Sequence, residues 1–204
     1  MTKRAYSMQR RGELEAETRE RIVRATVDLH ARHGGLGTSY AMIAKRAQVS
    51  PQTVYNHFPK LDALFDACTS HVLERAPPLG PETFRRGRSP AARLRLLAQA
   101  VYARHAFLQP WMRLSWYEAA LIPELRAIMA RGDAALRALI VAAVSPDREP
   151  IAGFAEAAFV ILDYPAWQEL ARSRSSPEAA RIAGDCLADL LPRLTRSQPR
   201  KANA

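Results

Sequence analysis

The stretch SPQTVYNHFPK, residues 50–60, crowds Gln52, Thr53, Tyr55, Asn56, His57 and Lys60 around two apolar anchors, Val54 and Phe58. At the helical repeat Val54 and Phe58 lie about 40° apart and form one buried face. Gln52, Thr53 and Asn56 fall on the opposite side, with Tyr55 and His57 on the flanks. Amide side chains can make paired hydrogen bonds to an adenine edge, and threonine can meet a base or a thymine methyl. A phenol and an imidazole at the shoulders are placed for phosphate oxygens. A polar ridge facing only water has the same composition, so the neighbouring elements must decide.

Ser50 caps this helix and Pro51 takes its first position, where a missing N–H costs nothing. Before it, Thr38 or Ser39 caps a short helix reaching to about Ala47. Tyr40, Ile43, Ala44 and Ala47 form its inner face, and Lys45 and Arg46 point outward. Gln48 and Val49 make a tight connection. A longer helix, about Glu13 to Arg32, carries an apolar stripe through Leu14, Ile22, Ala25 and Leu29 and stops at Gly34 and Gly35. A fourth helix, about Lys60 to Arg75, buries Leu61, Leu64, Phe65, Cys68 and Val72. Two short helices joined by a tight turn and braced by a longer one form a helix-turn-helix, whose second helix enters the major groove.

Charge agrees with that reading. The 204 residues carry a formal +10, of which +6 falls in residues 1–60. A basic amino-terminal segment is the footprint of phosphate-backbone binding, although a solubilising surface carries charge as well. Apolar residues make up 48% and charged residues 25%, as in a globular protein. No apolar run approaches the roughly 18 residues of a membrane span, and no apolar segment follows the amino-terminal charges as in a secretory signal. Cys68 and Cys186 are far apart, which suits a reducing, cytoplasmic setting. No cofactor motif, nucleophile–base pair, phosphate loop or carboxylate pair at useful spacing argues for an enzyme. The Cys68–His71 spacing lacks further ligands for a metal site, and nothing near Cys186 in sequence suggests a redox sensor.

The remaining chain also reads as helical, so the expected fold class is all-α. Residues 1–12 are expected as a basic flexible arm, 13–75 as a helix-turn-helix domain and 76–90, rich in proline and glycine, as a linker. A second helical domain spans 91–196, and 197–204 form a tail. Within the second domain the expected helices run from Pro90 to about Leu108, from Pro110 around WMRLSWYEAAL, and from Pro123. Another runs from about Glu149 to Arg172, bent or broken at Pro165, and the last from Pro177 to about Leu194.

At this point TSYAMIAKRAQVSPQTVYNHFPKLDALFDA, residues 38–67, resembles the DNA-binding domain of the tetracycline-repressor (TetR) family of transcriptional regulators. The matching elements are Ile43-Ala44, Ala47, Val49-Ser50, Thr53-Val54-Tyr55, His57-Phe58 and Leu64. The resemblance implies a homodimer on palindromic double-stranded DNA, usually a repressor, with Thr38, Ser39, Tyr40, Lys45, Arg46, Ser50, Pro51, Gln52, Thr53, Tyr55, Asn56, His57 and Lys60 at the interface. It also implies a small-molecule effector in the second domain that releases DNA, and a four-helix dimer contact. Two positions depart from the family pattern. Gln48 stands where glycine is usual, so it must take a positive φ or alter the turn. Leu61 stands where a lysine is usual, leaving Lys60 to reach the same phosphate from a shifted angle.

Tyr102, His105, Phe107, Trp111, Met112, Trp116, Tyr117 and Glu118, with Phe159 and Asp163 on the long helix, are the residues from which an apolar effector pocket could be built. The same types fill any helical core. Phe154, Ala157, Ala158 and Ile161, with Ile182, Ala183, Cys186, Leu187 and Leu190, form stripes suited either to a bundle across a two-fold axis or to an internal core. A DNA-binding protein with no small-molecule effector, constitutive or controlled by a protein partner, remains the alternative.

Overall fold

The computed structural model describes residues 3–145, 148–150 and 153–197. Nine α-helices succeed one another among them: α1 (Lys3–His33), α2 (Tyr40–Ala47), α3 (Pro51–His57), α4 (Leu61–Leu73), α5 (Pro90–Glu118), α6 (Pro123–Val144), α7 (Phe154–Leu162), α8 (Tyr164–Ala171) and α9 (Ser176–Leu194). A single 3-10 turn, Pro81–Thr83, lies between α4 and α5. The fold is all-α apart from one short antiparallel pair that no alternating pattern announced: β1 (Arg148–Pro150) beside β2 (Thr195–Ser197).

Two compact units emerge. The first joins the residues up to Arg75 with Pro110–Ile128, and the second joins Ala76–Gln109 with the residues from Met129 onward. Residues 110–128 thus fold with the helix-turn-helix rather than with the 91–196 block expected from sequence. The core of the first unit gathers Ile22, Val23 and Val27 of α1, Ile43, Ala44 and Ala47 of α2, Val54 of α3 with Phe58 just beyond it, and Leu64, Phe65, Cys68 and Val72 of α4. Ile122 and Leu125 are also buried in this unit. Thr26, fully buried, donates its hydroxyl to Ile22 O at 2.8 Å, which satisfies a polar group that would otherwise be costly there.

Three helix boundaries differ from expectation. α1 runs back to Lys3, so residues 3–12 are helical and not an irregular arm. α5 continues through Pro110 instead of breaking. Pro110 and Ala106 are both exposed, so the carbonyl that loses its partner lies where water can reach it. The expected helix from Glu149 to Arg172 is two helices, and Glu149 lies in β1. Asp163 is extended at φ −68° and ψ 160°, and its carboxylate accepts Tyr164 N–H at 2.7 Å to cap α8. The proline at 165 then sits in the first turn of α8, where it needs no partner. The expected tail, beyond Ser197, lies outside the described residues.

In the second unit α7, α8 and α9 pack together around Phe154, Ala158, Leu162, Tyr164, Trp167, Ala179, Ala183 and Leu187. α5 crosses α9 closely there. A Cβ on Gly184 would sit 3.0 Å from Arg95 Cα, and beside it Arg95 Nε meets Asp185 Oδ1 at 2.8 Å.

Candidate nucleic-acid interface

The turn between α2 and α3 is set by its caps. Ser39 Oγ accepts Met42 N–H at 3.3 Å at the start of α2, and Ser50 Oγ accepts Thr53 N–H at 3.0 Å at the start of α3. Between them Gln48 takes the left-handed conformation, φ 56° and ψ 48°, the one non-glycine residue among those described to do so. Its N–H and that of Val49 reach back to Lys45 O and Ala44 O, closing the end of α2 with the bonds a glycine would usually permit. Gln48 thus preserves the turn geometry despite the missing glycine.

α3 is held from beneath. Val54 and Phe58 are fully buried, each contributing roughly 1.5–3 kcal/mol by removal from water, and the Arg19 guanidinium lies 4.8 Å from the Phe58 ring centre. Tyr40 Oη donates to Phe58 O at 2.9 Å, tying α2 to the end of α3, and the Tyr40 ring lies 4.5 Å from that of Tyr55. Partial burial, then proximity to Tyr55, raises the Tyr40 phenol above its ordinary range.

The outward side of α3 is polar and open. Pro51, Gln52, Tyr55 and Asn56 are exposed, Tyr55 by 52%. Gln52 Nε2 donates to Asn56 Oδ1 at 2.9 Å, which aligns the two amides as one edge of donors and acceptors. His57 is half-buried at the last turn, and exposed Lys60 occupies the N-cap position of α4. Leu61 is 44% exposed, not buried as its place in the α4 stripe suggested.

Several expected contact residues are engaged within the fold. Thr38 Oγ1 donates to Gly34 O at 2.6 Å, and Thr53 shares a 2.8 Å hydroxyl contact with Ser50. Arg46 Nη2 meets Asp28 Oδ2 at 2.6 Å, while Lys45 remains exposed. Arg46 and Asp28 also line an open recess of about 300 Å³ with Arg21, Arg24 and Gln48. Arg21 and Arg24 escaped the reading from sequence, although their i, i+3 spacing on α1 was the available sign.

The candidate effector residues divide between the units. In the second, Tyr102 Oη donates to Ile161 O at 2.7 Å and His105 Nε2 donates to Leu162 O at 2.9 Å. The His105 ring lies against Tyr164 and Trp167, and burial pushes its pKa down to about 4. Phe107 is half-buried, and Phe159 is buried with the Arg137 guanidinium 3.7 Å from its ring centre. Burial raises the Asp163 carboxyl above its ordinary range, despite the Tyr164 N–H it accepts.

The other five lie in the first unit. Trp111 Nε1 donates to Val27 O at 3.0 Å, Met112 and Trp116 are half-buried, and Tyr117 is 71% exposed. Glu118 is engaged within the unit. The residue is 8% exposed, and its carboxylate accepts Gly35 N–H at 2.7 Å and Leu36 N–H at 3.2 Å. Of the candidate dimer residues, Phe154, Ala158, Ala183 and Leu187 are buried inside the second unit. Ala157, Ile161, Ile182 and Leu190 are half-buried and Cys186 is exposed. Val160, missed in the sequence, is 68% exposed one helical turn beyond Ala157.

A capped helix-turn-helix followed by a second, mainly helical unit is a fold that this chain shares with a solved TetR transcription regulator. Residues 22–68 match the family described as bacterial regulatory proteins, tetR family. The architecture extends further. A TetR transcription regulator from Haloarcula marismortui superposes with a TM-score of 0.62 at 17% identity, covering 89% of this chain and 100% of its own. A transcriptional regulator from Rhodococcus sp. Rha1 gives 0.61 at 21% identity, over 89% and 99%. The multidrug binding protein EbrR, complexed with imidazole, gives 0.56 at 23% identity, over 86% and 90%. No curated protein sequence matches the chain.

Proposed function

We propose that this chain is a homodimeric, cytoplasmic repressor that reads a palindromic operator through α3 and releases it when a small, largely apolar effector binds the second unit. The observation that carries the DNA reading is the aligned, exposed Gln52–Asn56 amide pair on a helix whose opposite face is locked by Val54 and Phe58. Such an edge suits adenine, while Tyr55, His57, Lys45 and Lys60 are placed around it for phosphates, with the Tyr40 hydroxyl already given to Phe58 O. Selection from a random duplex pool tests it: a short two-fold-symmetric sequence is expected, bound with a steep loss of affinity as salt rises. Failure to enrich any sequence sinks the reading.

For the effector, the second-unit residues Tyr102, His105, Phe107, Phe159 and Asp163 are the candidates that remain together, and the fold shared with a multidrug binding protein supports them. A second reading, a DNA-binding regulator without a small-molecule effector, draws support from Tyr102 and His105, whose polar atoms are already satisfied by Ile161 O and Leu162 O. A thermal-shift panel of apolar and aromatic compounds separates the two. A ligand that raises the melting temperature and releases DNA favours the first, and uniform silence favours the second.

A further inference from the structure

Glu118 is the final residue of α5 and a charged group buried in the first unit. Its partner is not a cation. The carboxylate lies against the backbone that leaves α1, where Gly34 adopts φ +73° and turns the following N–H groups of Gly35 and Leu36 inward. Successive amides after a left-handed residue make an anion-binding concavity. The close fit is visible in the glycines. A Cβ on Gly34 would run into the carboxylate, and one on Gly35 would sit 2.9 Å from the Phe65 ring. The same turn is closed by Thr38, whose N–H donates to Gly35 O at 3.2 Å immediately before α2 is capped.

α5 itself is continuous from Pro90 to Glu118. Within the second unit its Tyr102 and His105 are bonded to the carbonyls that end α7. Its last residue is bonded to the turn between α1 and α2.

We propose that Glu118 is a positioning residue for DNA binding, seated in the Gly35–Leu36 amide concavity so that α5 holds the α1–α2 turn and thereby the presentation of α3. This role rests on the DNA-binding reading above. Withdrawing the carboxylate leaves two amides without their acceptor and frees the turn that precedes α2.

The test uses the full chain and a duplex selected by the wild-type protein. Glu118→Gln keeps the shape but places an amide nitrogen against one of the two N–H donors. Val72→Ala, in the core of α4 and away from the interface, serves as a destabilised control. The expected result is about tenfold weaker binding by Glu118→Gln, faster hydrogen exchange at Gly35 and Leu36, and no comparable affinity loss in the control under conditions where all variants remain folded. Equal affinity in Glu118→Gln, unchanged exchange at both amides, or the same loss in the control overturns the proposal. A wild-type protein that selects no duplex overturns the DNA-binding reading itself. Selection by the wild type with full binding by Glu118→Gln overturns this role alone.

Discussion

On α3 the division of labour between side chains follows from which atoms remain unengaged. Gln52 and Asn56 are exposed and bonded to each other, so each retains further donors and acceptors for a base edge. Gln52→Ala or Asn56→Ala should change the preferred base pairs in a selection experiment, with about 1–3 kcal/mol lost on the original site for each bidentate contact removed. Tyr55→Phe and His57→Ala should instead weaken cognate and random duplexes alike in titration, because phosphate contacts carry no sequence. Identical behaviour of the two pairs would contradict these roles. Gln48 gives a prediction about stability. A non-glycine residue in the left-handed region is strained, and Gly removes the strain at some entropic cost. Gln48→Gly should therefore raise stability by about 0.5–1 kcal/mol in urea unfolding.

Two histidines link the packing of the helices to protonation. His30 on α1 stacks on Phe65 of α4, with ring centres 5.2 Å apart, and burial lowers its pKa to about 4 although Glu118 opposes the shift. His105 on α5 is lowered to about 4 by burial as well. Both rings are neutral in the native state near neutrality. From the ordinary value of 6.5 down to about 4 the unfolded chain binds protons that the folded chain refuses. Their stabilising contribution is thus complete above pH 6.5, declines as pH falls through this window, and declines no further below it. Denaturant unfolding at several pH values should show this slope, and His105→Gln, which keeps a donor for Leu162 O, should reduce it. A flat profile in the wild-type protein would show that these rings are not buried as described.

For the molecule as a whole, the proposed self-association can be tested by a single substitution. Four of the nine residues expected at a dimer contact are internal, while Val160 and Cys186 stand exposed on α7 and α9. Val160→Asp places a charge on that surface without disturbing a core, so the fold should change by no more than about 0.5 kcal/mol. Light scattering after size exclusion should report a dimer for the wild type and a monomer for the variant. A dimer that survives Val160→Asp would move the interface elsewhere.

The sequence by itself determined the features that depend on near neighbours. Ser50 and Pro51 start α3, Val54 and Phe58 share a face, and the 38–67 pattern marks a helix-turn-helix, because capping and periodicity act within a turn or two. Tertiary structure decided what lies at long range. Nothing local distinguishes Glu118, bonded to Gly35 across the chain, from a carboxylate waiting for a ligand. Nor could a stripe on α7 show that Phe154 and Ala158 turn inward while Val160 does not. Even Pro110, a helix breaker by its chemistry, lies within the continuous α5, on a surface open to solvent. Polar atoms are satisfied by whichever partner the closed chain brings near, and that choice is made only when distant helices meet.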